Sequence, residues 1–384
     1  MVAARFAAMS PGRVRIETLT ASPLSVPLRR PFVIATGRID VTRAVLVEVT
    51  LCDLTTGAIA RGLGEAAALP PITREDQPEV LRALSATKLV GAEIEVRAGL
   101  AGLTELLDRA LDALPVARCG VETSFLDALA RLSDVPLRVL LGGPAAHDTR
   151  ALVTDITLPI AEPSEMAERG RAWFALGFRA CTVKIGKDVD HDLRALEAVH
   201  HAIPGATLRL DANGGFSARD AIAVLRAVEK LGVVVECYEQ PCAEDDLEGM
   251  AEVAAATDVP VIADESVRTL SCLARVRAMR AADGVNLKLA KSGGPLAAFA
   301  IGCAARDAGM HVMCGGMVET RLGMSAAAHV ATGLGGVDFV DLDTAWLLAD
   351  DPFIGGYAAD GPRYRLGDGP GIGVDRAPRV RGHI

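Results

Sequence analysis

The chain has 384 residues, 50% hydrophobic and 23% charged, with a formal net charge of −9 at pH 7. That length holds two domains with large cores, and the balance is that of a soluble globular chain, which excludes a disordered or fibrous one. No basic block or basic-aromatic stripe offsets the negative total, so no nucleic-acid partner is expected and a small-molecule substrate is.

Residues 1–145 do not repeat. Ile16 to Thr20, Ala44 to Thr50 and Ile59 to Glu65 read as strands. Gln77 to Val90, Glu105 to Leu114 and Val121 to Leu132 read as helices, which together make an α+β module. Pro31 to Arg38 reads as a loop, and Leu141-Gly142-Gly143-Pro144 ends the module.

Over residues 146–345 the pattern becomes regular. Strands are expected near 151–159, 180–186, 207–213, 235–241, 259–266, 284–290, 311–317 and 338–343. Helices between them cover 163–176, 188–202, 217–231, 246–256, 269–279, 294–308 and 321–332. Such alternation calls for parallel pairing through right-handed crossovers, and the count fits a closed (β/α)7β barrel, a modified TIM barrel of α/β class. An open doubly wound sheet would carry a glycine-rich phosphate loop after its first strand. Here that strand ends in Thr154-Asp155-Ile156-Thr157-Leu158-Pro159. Residues 346–384, rich in Gly and Pro, are expected to pack back on the first module.

Eight cysteines are scattered without a CxxC pair, which favours reduced thiols and a cytoplasmic setting. With no signal-peptide core and no apolar run of spanning length, no membrane partner is expected.

The chemistry is organised around Leu208-Arg209-Leu210-Asp211-Ala212-Asn213-Gly214-Gly215. Alone, Asp211 is a turn former at a strand end. Lys184, Asp211, Glu239, Asp264 and Lys288, however, close successive apolar runs 27, 28, 25 and 24 residues apart, near the length of one strand-plus-helix unit. In a parallel barrel all C-terminal strand ends share one mouth, so the three carboxylates would be neighbours and would repel unless a cation neutralised them. Oxygen ligands that leave room for water and substrate suit Mg²⁺.

Lys184 and Lys288, on strands two and six, would flank that ion. The 40 basic residues include only six lysines, and lysine, unlike arginine, can act as a base when its pKa is lowered. A cation between two lysines suits removal of a proton beside a carboxylate, stabilisation of the enolate and return of the proton. The metal charge and confined site are expected to lower the lysine pKa, and bases on two faces permit inversion of a stereocentre. Asp341 and Asp343 share one face of the last strand and would attract an ammonium group; a helix N-cap or solvated turn would use the same residues.

These segments resemble the enolase superfamily, in its muconate-lactonizing-enzyme subgroup, over nearly the whole chain. Leu208 to Asn213, Glu239-Gln240-Pro241, Ala263 to Ser266 and Asn286 to Gly294 match its motifs. The resemblance implies a (β/α)7β barrel beneath an α+β capping domain that the C-terminal tail completes. It also implies Mg²⁺ on Asp211, Glu239 and Asp264, with Lys184 and Lys288 as paired acid/bases. Asp341-Leu342-Asp343 is similar to the motif by which dipeptide epimerases hold the substrate α-ammonium, and Met317 to Gly323 resembles their seventh-strand segment.

The implied activity is therefore epimerisation of the C-terminal residue of an L,L-dipeptide by 1,1-proton transfer, in a homo-oligomer. Thr157 and Arg38 complete the implied substrate-binding set. Two departures stand out. Thr182 replaces the first lysine of the usual Lys-x-Lys, and Gly37 stands where an arginine would bind a glutamate side chain, with Arg38 one residue on. The alternatives are an N-acylamino-acid racemase, o-succinylbenzoate synthase or muconate-type cycloisomerase of the same subgroup, or a non-catalytic binding relative. Phe32 to Arg38, Ala67 to Thr73 and the residues beside Gly315 and Met317 are the candidates for setting specificity.

Overall fold

The computed structural model describes residues 11–142, 151–335 and 337–378. Its N-terminal module contains β1 (Arg13–Leu24), β2 (Pro27–Ile34), β3 (Gly37–Val41), β4 (Arg43–Asp53), β5 (Ile59–Ala68), α1 (Gln77–Ala86) and β6 (Glu93–Glu95). Three further helices follow: α2 (Ala101–Leu111), α3 (Pro115–Leu132) and α4 (Leu137–Leu140). An antiparallel sheet of order β5-β4-β1-β6 carries α3 on one face. That contact is backbone to backbone. A Cβ on Gly64 would lie 2.1 Å from the Gly120 carbonyl oxygen, and one on Gly62 would lie 2.1 Å from that of Ser124. Only glycine permits this approach.

The segment expected as a loop, Pro31 to Arg38, is instead the end of a β2–β3 hairpin. Phe32 pairs with Ile39 and Val33 with Arg38, leaving Ala35-Thr36 as the turn. Alternation explains it: Phe32 and Ile34 are buried while their neighbours are not, and Pro31 falls in a register shift where no ladder donor is needed. Helix α3 begins at Pro115, six residues earlier than its apolar run implied. Proline suits a first turn, and the Glu75 carboxylate accepts the Val116 and Ala117 amides at 3.1 and 3.0 Å.

The second module opens with β7 (Leu152–Val153), β8 (Ile156–Leu158), α5 (Pro163–Ala175), β9 (Ala180–Lys184), α6 (Val189–Ala202), β10 (Thr207–Asp211) and α7 (Ala218–Lys230). It continues through β11 (Val235–Glu239), α8 (Leu247–Ala255), β12 (Val261–Ala263), α9 (Leu270–Met279), β13 (Gly284–Leu287), α10 (Leu289–Ser292) and α11 (Pro295–Asp307). It ends with β14 (His311–Gly315), α12 (Arg321–Leu334), β15 (Phe339–Asp341) and α13 (Thr344–Leu347). The eight strands β8 to β15 run parallel in sequence order, as expected of the (β/α)7β barrel.

The single strand expected at 151–159 is two. Leu152–Val153 leave the barrel to pair with β18 (Arg363–Leu366), and Ile156–Leu158 form its first stave. Among the described residues the β8–β15 seam is closed by isolated bonds rather than a strand ladder. Asp155 N donates to Val340 O at 3.2 Å, Leu342 N to Thr154 Oγ1 at 2.8 Å and Thr157 N to Asp343 Oδ2 at 2.6 Å.

The chain ends with β16 (Phe353–Gly355) on β19 (Val374–Arg376) and β17 (Tyr357–Asp360) on β18. This tail packs on α3 and α4. Ile372 N donates to Asp127 Oδ1 at 2.7 Å, and Arg138 donates to Gly367 O and Asp368 Oδ1. Gly143-Pro144 and the boundary expected near residue 145 lie outside the described residues.

Candidate active site

Parallel register carries each strand-end side chain to one rim. Lys184 is paired in register with Asp211, and Asp211 with Glu239, so the ends of β9, β10 and β11 are level. Asp264 follows β12 and Lys288 follows β13 by one residue. All five side chains are buried. The structure brings them together as an alternating charge array. Lys184 Nζ donates to Asp211 Oδ2, Lys288 Nζ donates to Asp264 Oδ2 at 2.6 Å, and Lys288 Nζ lies 3.6 Å from Glu239 Oε1.

Tight turns hold the carboxylates in place. Asn213, at φ 43°, donates its amide to Asp211 Oδ1 at 2.8 Å, and Asn286 Nδ2 donates to Glu239 Oε1 at 2.6 Å. Gln240, at φ 34°, accepts the Asp264 amide on Oε1 at 2.9 Å. Lys291 donates to both the carboxylate and the carbonyl of Asp264. Lys291, Asn286 and Gln240 fall within the motifs read from the sequence but have no role assigned there. Their signal was proximity, each lying within three residues of Lys288 or Glu239.

The electrostatics follow from burial and these pairs. Burial, then the Asp211 charge, push the Glu239 carboxyl far above its ordinary value. Burial alone would raise Asp264 too, but Lys288 and Lys291 hold it well below the usual carboxylate range. Lys184 and Lys288 were expected to have lowered pKa values. Burial does pull them down, yet the facing carboxylates, Asp211 for Lys184 and Asp264 for Lys288, outweigh it and raise both. The expected lowering rests on a cation occupying those same carboxylates.

Among the described residues no three His, Cys, Asp or Glu side chains converge as a ready cation cage. The chemistry of the donors nonetheless suits a hard dication. The strand-end carboxylates Asp211, Glu239 and Asp264 are oxygen ligands on adjacent strands, and Glu239 Oε2 is buried with no hydrogen-bond partner among the described residues.

Across the mouth, Asp341 ends β15 and Asp343 is the N-cap position just before α13. Asp343 has a buried Oδ1 without a hydrogen-bond partner among the described residues. Asp341 Oδ1 has no donor facing it either, its neighbour being a second carboxyl, Asp155, with which it can only share a proton. Burial, then the Asp155 charge, push Asp341 up to about 7. Burial, then Asp341, push Asp343 up to about 7. These are acceptors short of a donor, which an ammonium would supply. Below them lies a cluster the sequence did not reveal: Asp155 Oδ2 accepts Thr182 Oγ1 at 2.5 Å and Arg209 Nη1 at 3.0 Å. Thr182 is thus a buried hydrogen-bond donor, and the cation beneath this side of the mouth is Arg209.

A narrow chamber of about 30 Å³ joins these parts. Thr157, Lys184, Asn213, Lys288, Asp341 and Asp343 border it. Its apolar wall comes from the three segments singled out for specificity: Phe32 and Ile34 of the hairpin, Leu69 and Ile72 after β5, and Gly316-Met317-Val318 after β14. Arg38 is not brought in. It sits on the exposed hairpin end with its guanidinium 2.9 Å from Asp40, because it alternates away from the face that buries Phe32 and Ile34.

Residues 15–142 match the family model described as the N-terminal domain of mandelate racemase and muconate lactonizing enzyme, and residues 165–380 match the enolase C-terminal domain-like model. An aromatic dipeptide epimerase of Herpetosiphon aurantiacus is 38% identical over 367 residues, covering 94% of this chain and 99% of that one. This chain belongs to the dipeptide epimerase family of the enolase superfamily.

Solved family members share the fold. The substrate-liganded L-Ala-D/L-Glu epimerase of Bacillus subtilis superposes with a TM-score of 0.84 at 32% identity, covering 94% of this chain and 98% of that one. A dipeptide epimerase of Enterococcus faecalis, solved with Mg and the dipeptide L-Leu-L-Tyr, gives a TM-score of 0.84 at 28% identity, covering 94% and 99%.

Proposed function

We propose that this family member is a Mg²⁺-dependent dipeptide epimerase that inverts the α-carbon of the C-terminal residue of an L,L-dipeptide. The observation carrying the reading is the chamber itself. It has lysines from β9 and β13 on two sides, and a third side formed by two aspartates whose buried oxygens await a donor. Only a substrate with a free ammonium would use that third side, which sets the reading apart from N-acylamino-acid racemases and cycloisomerases.

Asp211, Glu239 and Asp264 would hold Mg²⁺, which when bound stabilises the negative charge developing on the substrate carboxylate. The protein's own groups then act in turn. Asp341 and Asp343 accept the α-ammonium and fix the dipeptide across the mouth. A neutral lysine on one face takes the α-proton, leaving a planar enolate-like substrate. The ammonium of the opposite lysine gives a proton to the other face, so the two lysines exchange protonation states over one turnover.

Relatives described as dipeptide epimerases, one of them solved with Mg and a dipeptide, support the same reading. The eight free cysteines support a reducing, cytoplasmic setting, and among the described residues no helix is long and apolar enough to cross a membrane. A homo-oligomer is proposed on the family likeness.

The test is incubation of L,L-dipeptides with Mg²⁺ in heavy water, followed by mass and chiral analysis. Epimerised, singly deuterated product is expected, with Lys184→Ala and Lys288→Ala each abolishing inversion. Full inversion by either variant would rule out the two-lysine scheme.

A further inference from the structure

A second cavity adjoins the reaction chamber, with a volume of about 200 Å³ against about 30 Å³ for the chamber itself. Phe32 and Thr157 border both spaces. Thr157 also marks where a substrate would pass between them, since its amide donates to Asp343 Oδ2 at 2.6 Å. A dipeptide whose ammonium rests on Asp341 and Asp343 therefore has its first Cα beside Thr157. The side chain on that carbon has the larger cavity next to it.

The far wall is aromatic and fixed. Trp346 lies edge to face with Trp173 at 6.3 Å between centroids and with Phe178 at 5.9 Å. Its indole N–H is already used, donating to the Tyr364 hydroxyl at 2.8 Å, and that hydroxyl in turn donates to Leu342 O at 3.0 Å. What Trp346 offers the cavity is ring surface with no unmet polar group, held in one orientation. Leu28 adds an aliphatic side. Four charged side chains, Arg29, Arg30, Glu168 and Arg169, also line the cavity. Arg29 Nε donates to Leu348 O at 2.7 Å and Arg169 Nη2 to Glu165 Oε1 at 2.6 Å, while Arg169 Nε is buried without a hydrogen-bond partner among the described residues.

We infer that this cavity is the subsite for the side chain of the N-terminal residue and selects a bulky, aromatic one, while the residue being epimerised is small. The inference rests on the dipeptide reading and deepens it: the substrate class is aromatic residue–alanine, not alanine–aromatic residue. A rigid aromatic wall binds a ring at low entropic cost, whereas enlarging the narrow reaction chamber would displace Ile34, Ile72 or Met317 beside the lysines.

The experiment measures kcat/KM for α-deuterium incorporation with Mg²⁺ on L-Phe-L-Ala, L-Ala-L-Phe, L-Glu-L-Ala and L-Ala-L-Ala. L-Phe-L-Ala is expected to exceed both L-Ala-L-Phe and L-Ala-L-Ala by about 10-fold or more, the discrimination a well-fitted apolar pocket provides. A reversed order, or L-Glu-L-Ala above L-Phe-L-Ala, overturns this inference and leaves the dipeptide reading standing. Incorporation into none of the four overturns both.

Leu28→Trp, at a half-buried position on the cavity rim, fills the space and is expected to lower the ratio of L-Phe-L-Ala to L-Ala-L-Ala by about fivefold or more. An unchanged ratio in a folded variant counts against the cavity as the subsite.

Discussion

Thr157 and Asp343 meet across the seam of the barrel, the amide of one donating to the carboxylate of the other at 2.6 Å. One oxygen of Asp343 thereby helps to close the fold, and the other, Oδ1, is left without a partner among the described residues for a ligand to use. Asp343→Asn keeps an acceptor for Thr157 and removes the charge. We expect kcat/KM for a dipeptide to fall about 30-fold or more, mainly through KM, as when one side of a buried charged pair is removed. A loss under threefold in both Asp341→Asn and Asp343→Asn would mean that the ammonium sits elsewhere.

The same two aspartates set a pH dependence. Each is raised from its ordinary value of 3.8 to about 7, first by burial. A carboxyl raised on folding stabilises the fold while protonated, so that contribution is complete below 3.8 and is lost as pH climbs through about 7. Binding of an ammonium favours the ionised forms and so must expel protons near neutral pH. Calorimetric titration with a dipeptide at pH 7 in two buffers of different ionisation heat should show net proton release, diminished in Asp343→Asn. Equal heats in both buffers would contradict the assignment.

Glu65 on β5 joins the two modules. Its carboxylate accepts the Thr320 amide and hydroxyl, at 3.1 and 2.5 Å, and the Gly323 amide at 3.1 Å, all at the start of α12. Glu65→Ala strips three buried donors of their acceptor and is expected to cost about 2–4 kcal/mol by chemical denaturation. KM should rise as well, because Leu69 and Ile72 of the chamber wall follow directly from β5. A stability change below about 0.5 kcal/mol would show the contact to be incidental.

Gly64→Ala is expected to prevent normal assembly of β5 against α3, since its methyl would lie 2.1 Å from the Gly120 carbonyl oxygen, a backbone atom that cannot swing away. Gly37→Ala is the control. Its Cβ meets nothing within 4 Å, and thermal melts should barely separate it from the parent. Indistinguishable melts for Gly64→Ala would refute the close approach.

The barrel and its charged rim were legible because a βα repeat brings strand-end residues to one face, so spacing in sequence becomes adjacency in space. Lys184, Asp211, Glu239, Asp264 and Lys288 carried that information themselves. The cluster of Asp155, Thr182 and Arg209 did not, because Asp155 meets Thr182 of β9 and Arg209 of β10 from the break between β7 and β8, which the sequence did not show. The hairpin was obscured by Pro31 and the Thr36-Gly37 pair, which look like loop punctuation although one face of the segment is apolar. The direct pairing of the lysines with the carboxylates was not legible for an electrostatic reason. Apposed carboxylates set their protonation, and strand spacing does not reveal which oxygen each ammonium faces.

The narrow chamber is bordered by two populations of side chain with separate origins. The lysines and carboxylates stand on the barrel, while Phe32, Ile34, Leu69 and Ile72 arrive from the N-terminal sheet and its hairpin. Drift in residues 27–75 can therefore remodel much of what fits beside the reacting carbon while the proton-transfer apparatus stays untouched, the barrel adding only Gly316-Met317-Val318 to the apolar wall. In this architecture, new specificities can arise by exchanging the first fifth of the gene between relatives, without relearning the chemistry.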